Sequence, residues 1–224
     1  MSVLLVTGTD TGVGKTVVTA ALAAYLSRGT TIVVSKPLQT GVDAVEPGDA
    51  DEVRRLAGVE VHEGVRLRDA LAPTTAARRA GVDLPSVKEQ AAAIEALRPP
   101  SGWTLVEGAG GLLVGLDGEG RNLADLATHL PHSAFVVVVR AGLGTLNHTL
   151  LTVEALRARK LPIAGLVVGA WPEHPDLADR CNLEELPDLA GLPLLGKIPA
   201  NAAALPPEVF RAQAQTWFTF PRFS

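Results

Sequence analysis

The sequence predicts an α/β fold, a mainly parallel β-sheet with helices on both faces, and three observations carry that reading. Short apolar runs rich in β-branched residues recur along the chain, separated by stretches with helical spacing, as crossover connections require. The glycine-rich turn at residues 8–16 lies between one such run, Val3-Leu4-Leu5-Val6, and a helical stretch from Val17 to Leu26. The chain has 224 residues, 47% hydrophobic and 20% charged, which suits one domain with a large core. Residues 1–224 are therefore read as a single domain, with the tail after about residue 205 left unassigned.

The turn reads Gly8-Thr9-Asp10-Thr11-Gly12-Val13-Gly14-Lys15-Thr16. Strand, glycine-rich turn, Gly-Lys-Thr and helix together form the context of a phosphate loop, and hence of a P-loop NTPase fold. Glycines let successive backbone N–H groups curl around an anion, and the helix N-terminus adds partial positive charge there. Lys15 is placed to reach the β- and γ-phosphates, and Thr16 to offer its hydroxyl to Mg²⁺. The common loop has four residues between its first glycine and the Gly-Lys pair. Here Gly8 to Gly14 encloses five, with Thr9 at the usual glycine position.

In the first helix Val17, Val18, Ala21, Leu22, Tyr25 and Leu26 recur at helical spacing. Thr30 to Ser35 reads as the second strand, with Pro37 ending it and Lys36 at its carboxyl end, where open α/β sheets bind ligands. Residues 42–69 are polar, with an acidic cluster of Glu46, Asp49, Asp51 and Glu52 before a helix over Asp51–Leu56. Such acids either cap the helix or supply a metal carboxylate, and the local sequence favours the cap. A turn enters a helix at Pro73. Ser86 and Glu89 have capping-box spacing at the head of a helix running to Leu97 and stopped by Pro99-Pro100.

Trp103 to Val106 is the third strand, followed by Glu107-Gly108-Ala109-Gly110-Gly111. An acid at the tip of an apolar strand, opposite a phosphate loop, is placed to hold Mg²⁺, and the glycines allow close backbone approach. A short helix covers Arg121–Leu130, and Phe135–Val139 is a fully buried fourth strand. Its exit runs from Arg140 to His148, with Thr145 read as the N-cap of a helix reaching Arg159. Ile163–Val168 is a fifth strand ended by Gly169-Ala170-Trp171-Pro172, and residues 173–193 read as loop with a short helix near 183–190. Leu194–Ile198 is a sixth strand, and Pro207–Trp217 a last helix. The aromatic tail Trp217-Phe218-Thr219-Phe220-Pro221-Arg222-Phe223 leaves open whether it packs on the core or forms a loose end. The turns after residues 6, 35, 106 and 139 all follow strands and converge on one sheet edge.

The net charge of −4 supplies no basic field for nucleic acid or anionic lipid, so phosphate binding must come from the local loop. The single cysteine, Cys181, excludes an intrachain disulfide. The first apolar run is too short for a signal peptide, and no stretch approaches a membrane span, so a cytoplasmic protein is expected.

Four motifs in order, Val6 to Thr16, Lys36-Pro37-Leu38-Gln39-Thr40-Gly41, Val106 to Gly111 and Leu143-Gly144-Thr145-Leu146-Asn147-His148, resemble those of the dethiobiotin synthetases of biotin synthesis. The likeness covers most of residues 2–200. It implies ring closure of 7,8-diaminopelargonate with CO₂ and a nucleoside triphosphate, ATP in the family's name, by way of a carbamate and a carbamic-phosphoric anhydride. Lys15, Lys36 and Thr11 would then serve the chemistry, with Thr11 and Thr40 bonding the carbamate or the phosphates. Gly12, Val13, Gly14, Lys15, Thr16 and Val17 would hold the nucleotide, and Thr16, Asp49 and Glu107 the Mg²⁺, with Asp51 the alternative to Asp49. Gly110 and Gly111 would approach the substrate. The family is a homodimer, so Leu143, Gly144, Thr145, Leu146 and Asn147 would bind the substrate carboxylate from the partner. Gly169, Ala170, Ile198, Pro199 and Ala200 would meet the base. Many members carry an asparagine near the first of these turns; here Gly169-Ala170-Trp171 stands there, which leaves the choice between ATP and CTP open.

Three other readings compete. Partitioning and iron-protein ATPases carry a lysine two residues before the second loop glycine, where this chain has Asp10. Amidoligases of cobalamin synthesis add a glutamine-hydrolysing domain for which this chain has no room. A plain nucleotide-binding module needs neither Lys36 nor the Leu143–His148 turn.

Overall fold

The computed structural model describes residues 3–219. Seven strands form one sheet: β1 (Val3–Gly8), β2 (Thr31–Thr40), β3 (Glu60–Leu67), β4 (Gly102–Glu107), β5 (Ser133–Val139), β6 (Ile163–Trp171) and β7 (Leu194–Pro199). Their order is β3-β2-β4-β1-β5-β6-β7, and every neighbouring pair is parallel. β1 lies between β4 and β5, so the chain builds β2 to β4 on one side of it and β5 to β7 on the other, and the segments after β1, β2 and β4 open a crevice at their carboxyl ends.

Period-2 alternation divides the core. Leu4, Val6, Val34, Leu105, Val136 and Val138 face helices α1 (Lys15–Leu26), α2 (Asp49–Ala57) and α8 (Pro207–Ala214). Val3, Leu5, Val106, Val137 and Val139 face α4 (Val87–Ala96), α5 (Leu123–Ala127), α6 (Thr145–Ala158) and α7 (Leu177–Ala190). A small satellite cluster of Leu67, Ala76 and Ala77 seats α3 (Pro73–Ala80) under the end of β3. Among the described residues no helix is long and apolar enough to cross a membrane.

The structure corrects several sequence expectations. β2 does not end at Pro37 but continues to Thr40. Its pairing with β4 stops at Ser35, and beyond that only β3 is its neighbour, so a residue without an N–H is tolerated there. The polar stretch before residue 69 contains a seventh strand, β3, whose Val61 and Leu67 are buried while Glu60 and Gly64 are exposed. α2 begins at Asp49, not Asp51, and α5 is only five residues long. β6 runs through Gly169 and Ala170 to Trp171. The segment read as mostly loop is the fourteen-residue α7, opened by a reciprocal capping box of Asp176 and Asp179 and carrying Pro187 inside it. α8 stops at Ala214. The capping box of Ser86 and Glu89 forms as expected.

The start of the aromatic tail packs on the core. Phe218 is buried and bridges antiparallel to Gly196 on the outer side of β7. The Lys197 N–H donates to Trp217 O at 3.2 Å and the Thr219 N–H to Leu195 O at 2.8 Å. Phe218 meets the Tyr25 ring at 5.3 Å between centroids, and Trp217 meets Phe210 edge-on at 5.1 Å. Phe220 to Phe223 lie outside the described residues.

Candidate active site

The crevice holds a cavity of about 860 Å³ bordered by the loop after β1, the end of β2, the start of α2 and the loop after β4. Each wall follows from local sequence. Gly12 and Gly14 have φ of +71° and +96°, so the loop can turn its N–H groups inward before α1 begins. Gly14 is also pressed on β6: a Cβ there would lie 2.6 Å from Gly169 O, and one on Gly169 would lie 2.0 Å from Val13 O. Gly169, whose φ needs no glycine, is required by this backbone approach.

Four polar side chains from four elements meet in this cavity. Lys36, from β2, is 3% exposed, and its Nζ lies 2.6 Å from Asp49 Oδ2 and 2.8 Å from Glu107 Oε1. It also donates to Gly108 O at 3.2 Å. Thr16 Oγ1, from α1, donates to the same Glu107 oxygen at 2.9 Å. Asp49 is the first residue of α2, and Glu107, 2% exposed, ends β4. Burial pulls the Lys36 ammonium towards neutrality, but the charges of Glu107 and then Asp49 outweigh it and hold its pKa above the ordinary lysine value. Burial likewise pushes Asp49 up, and the Lys36 charge and hydrogen bond, then Thr16, bring it below the usual carboxylate range. Lys15, also buried, donates to Asp10 O at 3.0 Å. Its pKa is lowered, by burial first and by the nearby Lys36 second. Two lysines thus face one cavity beside two carboxylates, a set that suits a polyanion bound together with a cation.

Thr16, Asp49 and Glu107 offer one hydroxyl and two carboxylates within reach of one another. That all-oxygen set fits a hard divalent cation such as Mg²⁺. Asp51, the alternative ligand, does not enter the cavity. Its Oδ2 accepts the Gly48 N–H at 3.0 Å and its Oδ1 the Arg54 guanidinium at 2.6 Å, so it caps α2. Within the acidic run, then, Asp51 is the cap and Asp49 the carboxylate that lines the cavity.

A family model described as an AAA domain matches residues 2–208. The ATP-dependent dethiobiotin synthetase BioD of Streptomyces coelicolor is 54% identical over 99% of this chain and 93% of its own length. Those of Parafrankia sp. (56% identical, 92% of this chain and 87% of the relative) and Rhodococcus jostii (52%, 97% and 95%) are similarly close.

The chain belongs to the dethiobiotin synthetase family.

Solved structures at under 20% identity share the fold alone. The septum site-determining protein MinD of Pyrococcus horikoshii, complexed with Mg-ADP, superposes with a TM-score of 0.58 at 18% identity over 96% of this chain and 85% of that one. A ParA family ATPase of Chlorobium tepidum gives 0.56 at 12% identity over 95% and 97%. Both have the P-loop NTPase architecture read here from the strand–turn–helix pattern.

Of the residues expected from the dethiobiotin synthetase likeness, Thr11, Gly12, Gly14, Lys15, Thr16, Val17, Lys36, Thr40, Asp49, Glu107 and Gly110 line the main cavity. Val13 is buried beneath it. Gly111 lines a second cavity of about 440 Å³ beside it, with Thr9, Asp10, Leu113 and Leu151. Leu143, Gly144, Thr145, Leu146 and Asn147 border neither cavity; Leu143 is 88% exposed and Asn147 exposed. Thr145 is not the N-cap of α6. Gly144, in the left-handed region at φ +87°, takes that place, and Thr145 Oγ1 donates to Arg140 O at 2.7 Å. Of the residues expected to meet the base, Ile198 has its side chain fully buried in the core, whereas Ala170, Pro199 and Ala200 are exposed, and none lines the cavity. The Ala200 N–H donates to Trp171 O at 2.8 Å, which joins the two turns. Sequence reasoning gave no role to Gln39, although it lines the cavity. Its place within the Lys36–Gly41 motif was the available signal.

Proposed function

We propose that this chain is an ATP-dependent dethiobiotin synthetase, which carboxylates 7,8-diaminopelargonate with CO₂ and closes the ureido ring, releasing ADP and phosphate. The observation that carries the reading is Lys36, buried at the cavity floor between Asp49 and Glu107 and opposite the phosphate loop. A plain binding module has no need of a second buried lysine there, and a partitioning-type switch carries its extra lysine in the loop, where this chain has Asp10.

One substrate amine and CO₂ form a carbamate. A carbamate oxygen then attacks the γ-phosphorus of ATP and ADP departs. The second amine attacks the carbonyl of the resulting mixed anhydride, the C–O bond to phosphate breaks, and the ring closes. Phosphoryl transfer of this kind needs alignment and charge neutralisation more than covalent help. Lys15 and Lys36 are the cations that flank the anionic carbamate and the transferring phosphoryl group, with Thr11 and Thr40 as hydrogen-bond partners. Thr16, Asp49 and Glu107 would hold Mg²⁺, which when bound neutralises phosphate charge. We further read the active unit as a homodimer. Leu143 and Leu151, 88% and 56% exposed before and on α6, together with Leu113 beside the second cavity, offer exposed apolar side chains near the site. Leu143 to Asn147 would then serve the substrate of a second copy.

The test is phosphate release from ATP and from CTP, each with and without diaminopelargonate and bicarbonate, with mass detection of dethiobiotin. Diamine-dependent release with dethiobiotin formed is expected, and the two nucleotides report the base preference. Hydrolysis indifferent to the diamine would point instead to a switch ATPase.

A further inference from the structure

The N-cap of α2 is Gly48, which has no side chain with which to satisfy the helix's first N–H groups. The Asp49 N–H is nevertheless paired. Its acceptor is Gln39 Oε1, at 2.9 Å, reached from the end of β2. The other end of that amide, Nε2, donates to Thr40 O at 2.9 Å, so the side chain, only 4% exposed, is fixed at both ends. Gly48 has φ −99° and ψ −172°, open to any residue, yet a Cβ there would lie 3.0 Å from Gln39 Oε1 and 3.0 Å from Glu63 Oε2. A side chain there would push the amide back from the helix start by a few tenths of an ångström. Asp51 takes the Gly48 N–H at 3.0 Å, so neither the cap residue nor the helix's own acids call on the Asp49 carboxylate.

We infer that Gln39 is a positioning residue for the reaction: it substitutes for the missing N-cap side chain and so aims the Asp49 carboxylate at Lys36 and the cation site instead of back at its own helix. The inference rests on the reading of Asp49 as a cation ligand. It requires that the Gln39 amide be felt at the metal and not merely in stability, since partners one bond removed from a ligand commonly change metal affinity by about 10- to 100-fold.

The experiment titrates MgCl₂ into the full-length protein saturated with a non-hydrolysable ATP analogue, by calorimetry, beside melting temperatures measured without Mg²⁺. Gln39→Met, of similar size but without an acceptor, is expected to weaken Mg²⁺ binding about tenfold. In an Asp49→Asn background the same substitution should have little further effect, because the two act through one contact. Where Gln39→Met does not fold, Gln39→Asn, which withdraws the amide by one methylene, should show the same coupling. Unchanged Mg²⁺ affinity in the Gln39 variants, with a lowered melting temperature and a clear loss in Asp49→Asn, would reduce Gln39 to a structural cap and overturn the inference. If Asp49→Asn itself leaves Mg²⁺ affinity unchanged, the ligand reading of Asp49 fails instead.

Discussion

Lys36 shows what a buried charge does for this protein. Glu107 is 2% exposed and depends on the Lys36 ammonium and the Thr16 hydroxyl for its partners. Removing one partner of a buried pair typically costs roughly 3–5 kcal/mol, because the other charge is stranded. Lys36→Ala should therefore lower unfolding stability by about that amount in urea titrations, and cut turnover by about 100-fold or more while nucleotide affinity changes little. Equal losses in turnover and affinity would mean that Lys36 merely binds the nucleotide. Asp49 gives a pH prediction. Its folded pKa lies below its unfolded one, so its contribution is present above the ordinary carboxylate pKa near 4 and is lost as pH falls through the folded value. The alkaline side is less clean. The raised Lys36 contributes below about pH 10.4 and loses that contribution at higher pH, whereas the lowered Lys15 carries a penalty that high pH relieves. The urea midpoint of the parent should thus fall below about pH 4 more steeply than that of Asp49→Asn. Parallel curves would show that Asp49 titrates alike in both states.

Among the elements, the contact between the phosphate loop and β6 makes the sharpest prediction. Gly169→Ala drives a methyl into Val13 O with no room to yield, so it should displace the loop and abolish measurable nucleotide binding by calorimetry. Gly12→Ala, with no protein atom within 4 Å of the new Cβ, should cost only the left-handed backbone, about 1–2 kcal/mol in urea titrations, without displacing the loop from β6. This contact also marks the limit of what the sequence made legible. β1 and β5 announce themselves because both faces are buried, and the loop is recognisable because its glycines are close in the chain. Gly169 looked like a strand terminator because the backbone it meets is more than 150 residues away. β3 was hidden because an edge strand buries only part of itself, leaving a polar run around Val61 and Leu67. Half of α7 was missed for the opposite reason: its start is encoded by the acids Asp176 and Asp179, which resemble a loop unless their reciprocal caps are seen. The acidic run at residues 46–52 read as cap or ligand, and only the Gly48–Asp51 bond identifies which acid is the cap.

For the molecule as a whole, residues 217–219 join the two ends of the chain, since Phe218 packs on Tyr25 of α1 as well as along β7. Phe218→Ala should cost about 3–5 kcal/mol, as deletions of buried aromatics do, and lower the melting temperature. Steady-state turnover at 25 °C should stay within about twofold of the parent, because the segment borders neither cavity. A large loss of turnover in folded protein would tie the tail to the site. The same geometry has a consequence for association. A parallel sheet has two rims, and an open rim is a template on which a neighbouring chain can add its own backbone. At one rim this protein sets the charged side chains of β3; at the other it lays its own aromatic segment along β7 and occupies the Leu195 carbonyl and the Lys197 N–H. A chain with that segment dislodged would expose a ready template. At high concentration its failure would be polymerisation, not simple melting.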